Sequence, residues 1–171
     1  MSAREILFVP DRNLGAWTQC VTGRQLILWE GFCPTHEFIL AEQVQRARAL
    51  HPEALVVAHP ECNDGVRALA DHIASTSGML AFCRKSDHPA FIIATERGIL
   101  HRLRLDSPGK QFYAASPEMT CPNMKYATVE KILRCLEDLT GEVNVAADTA
   151  NGARQAIERM LMTAQAAGQT K

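Results

Sequence analysis

Ala54-Leu55-Val56-Val57-Ala58-His59-Pro60-Glu61-Cys62 is the stretch that decides the fold. Its first five residues are apolar without alternation. A strand with one wet face alternates, whereas a strand covered on both faces does not, so this run predicts a parallel sheet buried between helical layers. Pro60 then fixes the backbone, and the titratable side chains of His59 and Glu61 follow at the carboxyl end of the strand. The same grammar recurs. Ile6-Leu7-Phe8-Val9 leads into Pro10-Asp11-Arg12-Asn13-Leu14-Gly15, Leu26-Ile27-Leu28-Trp29 into Glu30-Gly31-Phe32-Cys33-Pro34-Thr35-His36, and Phe91-Ile92-Ile93-Ala94 into Thr95-Glu96-Arg97-Gly98. In parallel sheets ligands collect beyond the carboxyl ends of strands, so these four exits are the candidate sites.

Between the runs the apolar spacing becomes helical. Phe38, Ile39, Ala41, Val44 and Ala47 share a face over 37–49; 66–73 and 128–139 read the same way, the latter behind Thr128 as N-cap, and 149–164 forms a closing helix. A short helix is expected over 79–83, and Val143-Asn144-Val145 is a further strand candidate. Strand alternating with helix is the α/β signature.

The 171 residues carry 18 Lys and Arg against 19 Asp and Glu, a net charge of −1. That balance removes the electrostatic case for nucleic acid or an anionic membrane as the main partner. No apolar run approaches the roughly 20 residues of a membrane helix, and Met1–Pro10 has too short an apolar core for a signal peptide, which predicts a soluble cytoplasmic chain. Six cysteines in such a chain are expected to be reduced thiols or metal ligands, and none forms C-x-x-C.

Taken singly, the islands stay ambiguous. His59-Pro60-Glu61 suits acid/base work or a solvated turn; Cys33 with His36 three residues on suits a metal or chance; Ser75-Thr76-Ser77 at a helix start suits an anion or a simple N-cap. Cys121, in a loop, is placed to reach a metal. The familiar glycine-rich nucleotide loops, H-E-x-x-H and G-x-S-x-G are absent.

Their order is more specific. Pro10-Asp11-x-Asn13-Leu14-Gly15, Trp29-x-Gly31-x-Cys33-x-x-His36, His59-Pro60-Glu61, Ala70-Asp71-x-x-x-Ser75-Thr76, Thr95-Glu96-x-Gly98 and Cys121-Pro122-x-Met124 together resemble the C-terminal half of the quinolinate synthases, from about Ile6 to Met160. The resemblance implies a transferase of NAD biosynthesis that condenses iminoaspartate with dihydroxyacetone phosphate. It also implies three related αβα domains around one [4Fe–4S] cluster, held by three cysteines with one iron open to substrate.

Carried onto this chain, the resemblance makes Cys33 and Cys121 two cluster ligands, Glu61 and His59 the catalytic pair, and His36, His59, Glu61, Ser75 and Thr76 the substrate-binding set. Cys62 is at best a neighbour of the cluster, Thr95-Glu96 is structural with Glu96 at a helix start, and Cys20, Cys83 and Cys135 are structural residues on helices. Residues 1–34 are expected to be a remnant of the middle domain, 35–115 an αβα domain, and 116–171 a segment that packs on the family's first domain. The third cluster cysteine is then expected from an N-terminal half, making this chain a fragment or split half. An inactive remnant or cluster-free anion-binding module, and an unrelated small metal-dependent α/β enzyme, are the alternatives.

Overall fold

A computed structural model describes residues 5–168; the opening Met1–Arg4, part of the stretch read above against a signal peptide, lies outside them. The chain divides after Met124 into two compact units.

The first unit contains two all-parallel sheets. The smaller pairs β1 (Leu7–Phe8) with β2 (Ile27–Leu28), and α1 (Arg12–Thr22) connects them. Their unbroken apolar runs predict burial on both faces, but Leu7 and Ile27 are exposed, because α1 covers only the face of Phe8 and Leu28, against which Gly15 packs. The larger contains β3 (Leu55–Ala58), β4 (His72–Ile73), β5 (Ala90–Ala94) and β6 (Gln111–Ala114) in the order β4-β3-β5-β6. Every residue of β5 and all but the first of β3 are buried, the two-faced burial their unbroken apolar runs predict.

The sheet separates two apolar layers. Val56, Ala58, Ile92 and Ala94 face Val44 and Ala47 of α3 (Ala41–Leu50) and Val66 of α4 (Asp64–Ala68). Val57, Phe91, Ile93 and Phe112 face Met79 and Cys83 of α5 (Thr76–Lys85) and Leu100 and Leu103 of α6 (Ile99–Asp106). Alternate residues of each strand thus supply opposite cores, giving the three-layer αβα architecture. Chain order runs outward from β3 to β4 and then back across to β5. The crevice between the carboxyl ends of β3 and β5 is therefore the topological switch point, where such folds bind ligands.

Three local readings change. The helical pattern expected over 37–49 breaks into a turn, α2 (Pro34–Glu37), and α3, because the Asn63 amide takes the carbonyls of Glu37 and Ile39 at 3.0 and 2.8 Å. The helix expected over 66–73 stops at Ala68 and the chain joins the sheet as β4. Asp71 draws it in: its amide donates to Val56 O and its carboxylate accepts from Val56 N–H and Arg48. Val143–Val145 is irregular and exposed, with no partner strand among the described residues.

The second unit, 125–171, holds α7 (Val129–Asp138) and α8 (Ala147–Gly168) within its described part. Thr128 caps α7 by accepting the Lys131 amide, as its sequence position predicts. No helix among the described residues is long and apolar enough to cross a membrane.

Candidate active site and metal centre

The functional side chains come from carboxyl-end exits of both sheets. Cys33 leaves β2 and is the N-cap position of α2, with Pro34 at the first helical position, where a missing N–H has no consequence. His36 sits one turn on, so both project from the same short helix. His59 and Glu61 leave β3; Thr95 leaves β5. Gly31 is required by crowding: a Cβ there would collide with the Pro10 carbonyl and the Trp29 ring.

At the switch point these residues form one cluster. His36 is 8% exposed; its Nε2 is 2.8 Å from Thr95 Oγ1, and its Nδ1 is 2.9 Å from Glu61 Oε2, off the line of a good hydrogen bond. His59 stacks on His36 with centroids 4.5 Å apart and planes 12° from parallel. Its Nδ1 accepts the Glu61 amide at 3.3 Å, so the neutral ring carries its proton on Nε2. The contact with His36 holds the Glu61 carboxyl below its ordinary pKa, against a smaller opposing effect of burial. Burial, aided by His36, pushes the His59 imidazole below its ordinary value against the pull of Glu61 and Asp11. At neutral pH the site therefore presents an ionised carboxylate beside a neutral imidazole.

Ligand atoms of Cys33, His36 and Glu61 all lie within 4.8 Å of one another. Thiolate, imidazole and carboxylate together suit a first-row transition metal or an iron–sulfur species, not magnesium or calcium. Cys121 approaches the same short helix. Its partly exposed sulfur accepts from the Met124 amide and the Thr35 hydroxyl, and these bonds draw its thiol pKa down. Both prospective thiolate ligands thus stand in the first unit, around α2.

Cys62 points away. It is fully buried, its Sγ donates to Ala94 O at 3.3 Å, and burial pushes its thiol up to about 12. Cys83 is buried on α5, while Cys20 and Cys135 are exposed on α1 and α7. Ser75 caps α5, its Oγ accepting the Gly78 amide at 3.4 Å; Ser75 and Thr76 are exposed beyond β4, on the edge shared with His59 but one strand out. Glu96 accepts the Gly98 amide at 2.7 Å just ahead of α6, the helix-start place expected of it.

Sequence reasoning set Thr95 aside as structural, yet its hydroxyl touches the buried His36 ring. Its signal was the strand-exit rule, since it follows β5 as His59 follows β3. Arg67 was also missed. This 8% exposed guanidinium donates to the carbonyls of Asn13, Pro60 and Cys62 and pairs with Asp64, bracing the His59–Cys62 turn from beneath.

Residues 1–162 match the family model described as quinolinate synthetase A protein. The chain is 49% identical over 158 residues to the quinolinate synthase of Geobacter metallireducens, covering 92% of this chain and 52% of that protein. It is 51% identical over 158 residues to that of Desulforudis audaxviator, with coverages of 92% and 52%, and 44% identical over 161 residues to that of Methanosarcina barkeri, with 94% and 53%. The chain spans about half the length of the curated relatives it matches.

Proposed function

The chain belongs to the quinolinate synthetase A protein family, and we propose that it supplies the cluster-facing half of a cytoplasmic quinolinate synthase, condensing iminoaspartate with dihydroxyacetone phosphate in NAD biosynthesis. The observation that carries this reading is the convergence of Cys33, His36 and Glu61 within 4.8 Å at the switch point. In this reading Cys33 and Cys121 are two thiolate ligands of a [4Fe–4S] cluster, and the third comes from the half of the family's length that this sequence does not match. Residues 1–34 then belong to the middle domain, 35–115 form an αβα domain, and 116–171 pack on the family's first domain.

When bound, the cluster supplies a Lewis-acidic iron for a substrate oxygen. The chain's own residues do the rest. Glu61, ionised at neutral pH, takes the proton released in the tautomerisation step. Neutral His59 offers Nε2–H to a substrate oxygen, and His36, braced by Thr95 at Nε2, lies against the Glu61 carboxylate and turns Nδ1 to a polar substrate group. Ser75 and Thr76, on the same sheet edge, receive carboxylate or phosphate oxygens with hydroxyls and free helix-start amides.

Anaerobic reconstitution of the chain with iron and sulfide, with and without the N-terminal half of the Geobacter metallireducens relative, tests this reading. The broad visible absorbance of a four-iron cluster and quinolinate formation are expected only with that half present. Cys33→Ser and Cys121→Ser each abolish both, and Cys62→Ser leaves them. A stable four-iron cluster in the isolated chain would sink the assignment of an external third ligand. Cluster loss in Cys62→Ser but not in Cys33→Ser would overturn the ligand set. No cluster and no quinolinate even with that half present would favour the inactive remnant or cluster-free anion-binding module.

A further inference from the structure

Resting on the reading of Cys33 and Glu61 above, we infer that the turn Pro10–Gly15 is a positioning device: Asp11 aims the Cys33 thiol while Asn13 fixes the Glu61 loop, so that ligand and base are set against one template. Both residues hold the backbone of the residues that carry the chemistry.

Asp11 is 3% exposed, and both its carboxylate oxygens are in use. Oδ1 accepts the Leu14 amide at 2.8 Å, the ordinary N-cap bond of α1. Oδ2 reaches across to the end of β2 and accepts the Cys33 amide at 2.8 Å. On its other side, the Cys33 carbonyl accepts from the His36 and Glu37 amides at 3.1 and 2.9 Å. The backbone of Cys33 is thereby held at both ends, which leaves χ1 as the main freedom of its thiol. Ser or Thr would cap α1 as well; two simultaneous acceptors facing two amides require a carboxylate.

Asn13 shows the same doubling. Its Nδ2 donates to Glu37 Oε2 at 2.7 Å and to the Glu61 carbonyl at 3.1 Å, spending both N–H groups of one amide, and its own carbonyl accepts from Arg67 at 3.0 Å. Glu37 in turn pairs with Arg12 at 2.7 Å. Helix capping explains neither the second arm of Asp11 nor the reach of Asn13 across 48 residues to the Glu61 loop. Outer partners that orient metal ligands typically contribute 10–100-fold to metal affinity, which sets the size of the expected effect.

The test uses the full chain. Asp11→Ser keeps the cap of α1 but cannot reach Cys33, Asp11→Ala loses both, and Asn13→Ala releases the Glu61 loop. Amide hydrogen exchange is followed at Cys33 and Glu37, Co2+ uptake through sulfur-to-cobalt absorbance, and melting in parallel. Asp11→Ser is expected to melt close to wild type while Cys33 exchanges at least about 10-fold faster and Co2+ binds about 10-fold more weakly. Asp11→Ala melts lower with no further loss of Co2+ affinity. Asn13→Ala weakens Co2+ without exposing the Cys33 amide, and it decides the matter should Asp11→Ser fail to fold. Unchanged Co2+ affinity in a folded Asp11→Ser or Asn13→Ala, or a Cys33 amide still protected in Asp11→Ser, would overturn the inference. A wild-type chain that takes up no Co2+ counts against the metal reading instead, and the exchange rates then decide the positioning role alone.

Discussion

The six cysteines differ in surroundings, and Cys33 is the one that meets His36 and Glu61 at the switch point. Cys62 and Cys83 are desolvated, with thiols pushed up to about 12 and about 11, so almost no thiolate exists at neutral pH. Cys20 and Cys135 are exposed. Cys121 has its pKa drawn down, by the Met124 amide first and the Thr35 hydroxyl second. The sign follows directly: a lowered pKa leaves more thiolate at a given pH, so its alkylation rate must persist to lower pH than that of a thiol in an unfolded peptide. With iodoacetamide on the folded chain at neutral pH, mass spectrometry should find Cys121 modified ahead of Cys20 and Cys135, and Cys62 and Cys83 spared until unfolding. Early labelling of Cys62 would contradict its place in the core. The setting apart of buried Cys62 and Cys83 was legible beforehand, because neither stands at a ligand position of the ordered motifs. The mutual approach of Cys33, His36 and Glu61 was not, since it depends on three strand exits meeting and no local pattern encodes that meeting.

The strands at 55–58 and 90–94 could be read from sequence because burial on both faces leaves a compositional trace, whereas the equally unbroken runs of β1 and β2 form strands with one exposed face, so the run marks a strand without fixing how many faces are covered. Helix α1 could not: Pro10–Gly15 looks like a ligand loop, and only the capping role of Asp11 shows that it opens a helix. Strand β4 was hidden inside a helical pattern, as a two-residue strand has too little sequence to show period 2. Helix α5 retains both readings of Ser75-Thr76, and a substitution separates them. Ser75→Ala should lower stability by about 1 kcal/mol through loss of the cap. Ser75→Asp keeps a cap and favours the helix start, so stability returns, but its charge repels a substrate anion. Under the proposed function, KM for dihydroxyacetone phosphate in the chain complemented with an N-terminal half should therefore be raised in Ser75→Asp. A normal KM in that variant would leave Ser75 as a cap and nothing more.

Across the whole molecule, every buried core residue among those described lies between Ile39 and Met119, inside the first unit. The second unit keeps its apolar side chains at the surface. Val129, Ile132, Leu133 and Leu136 recur at helical spacing on α7 and are all at least half exposed, as are Ile157, Met160 and Leu161 on α8. A ten-residue helix is marginal in water without tertiary packing, and an apolar stripe of this size on a soluble chain is normally covered by something. The chain purified alone should therefore associate with rising concentration and bind a hydrophobic dye. Deleting 125–171 should weaken both and leave the melting transition of the first unit in place, because its two core clusters draw on no described residue beyond Met119. Adding the N-terminal half of a relative should suppress association of the full-length chain if the stripe is a surface for that half. A chain that stays monomeric and dye-silent at high concentration would instead mean that 125–171 satisfies its own apolar face. Loss of the first unit's transition on truncation would show that its core is not self-sufficient.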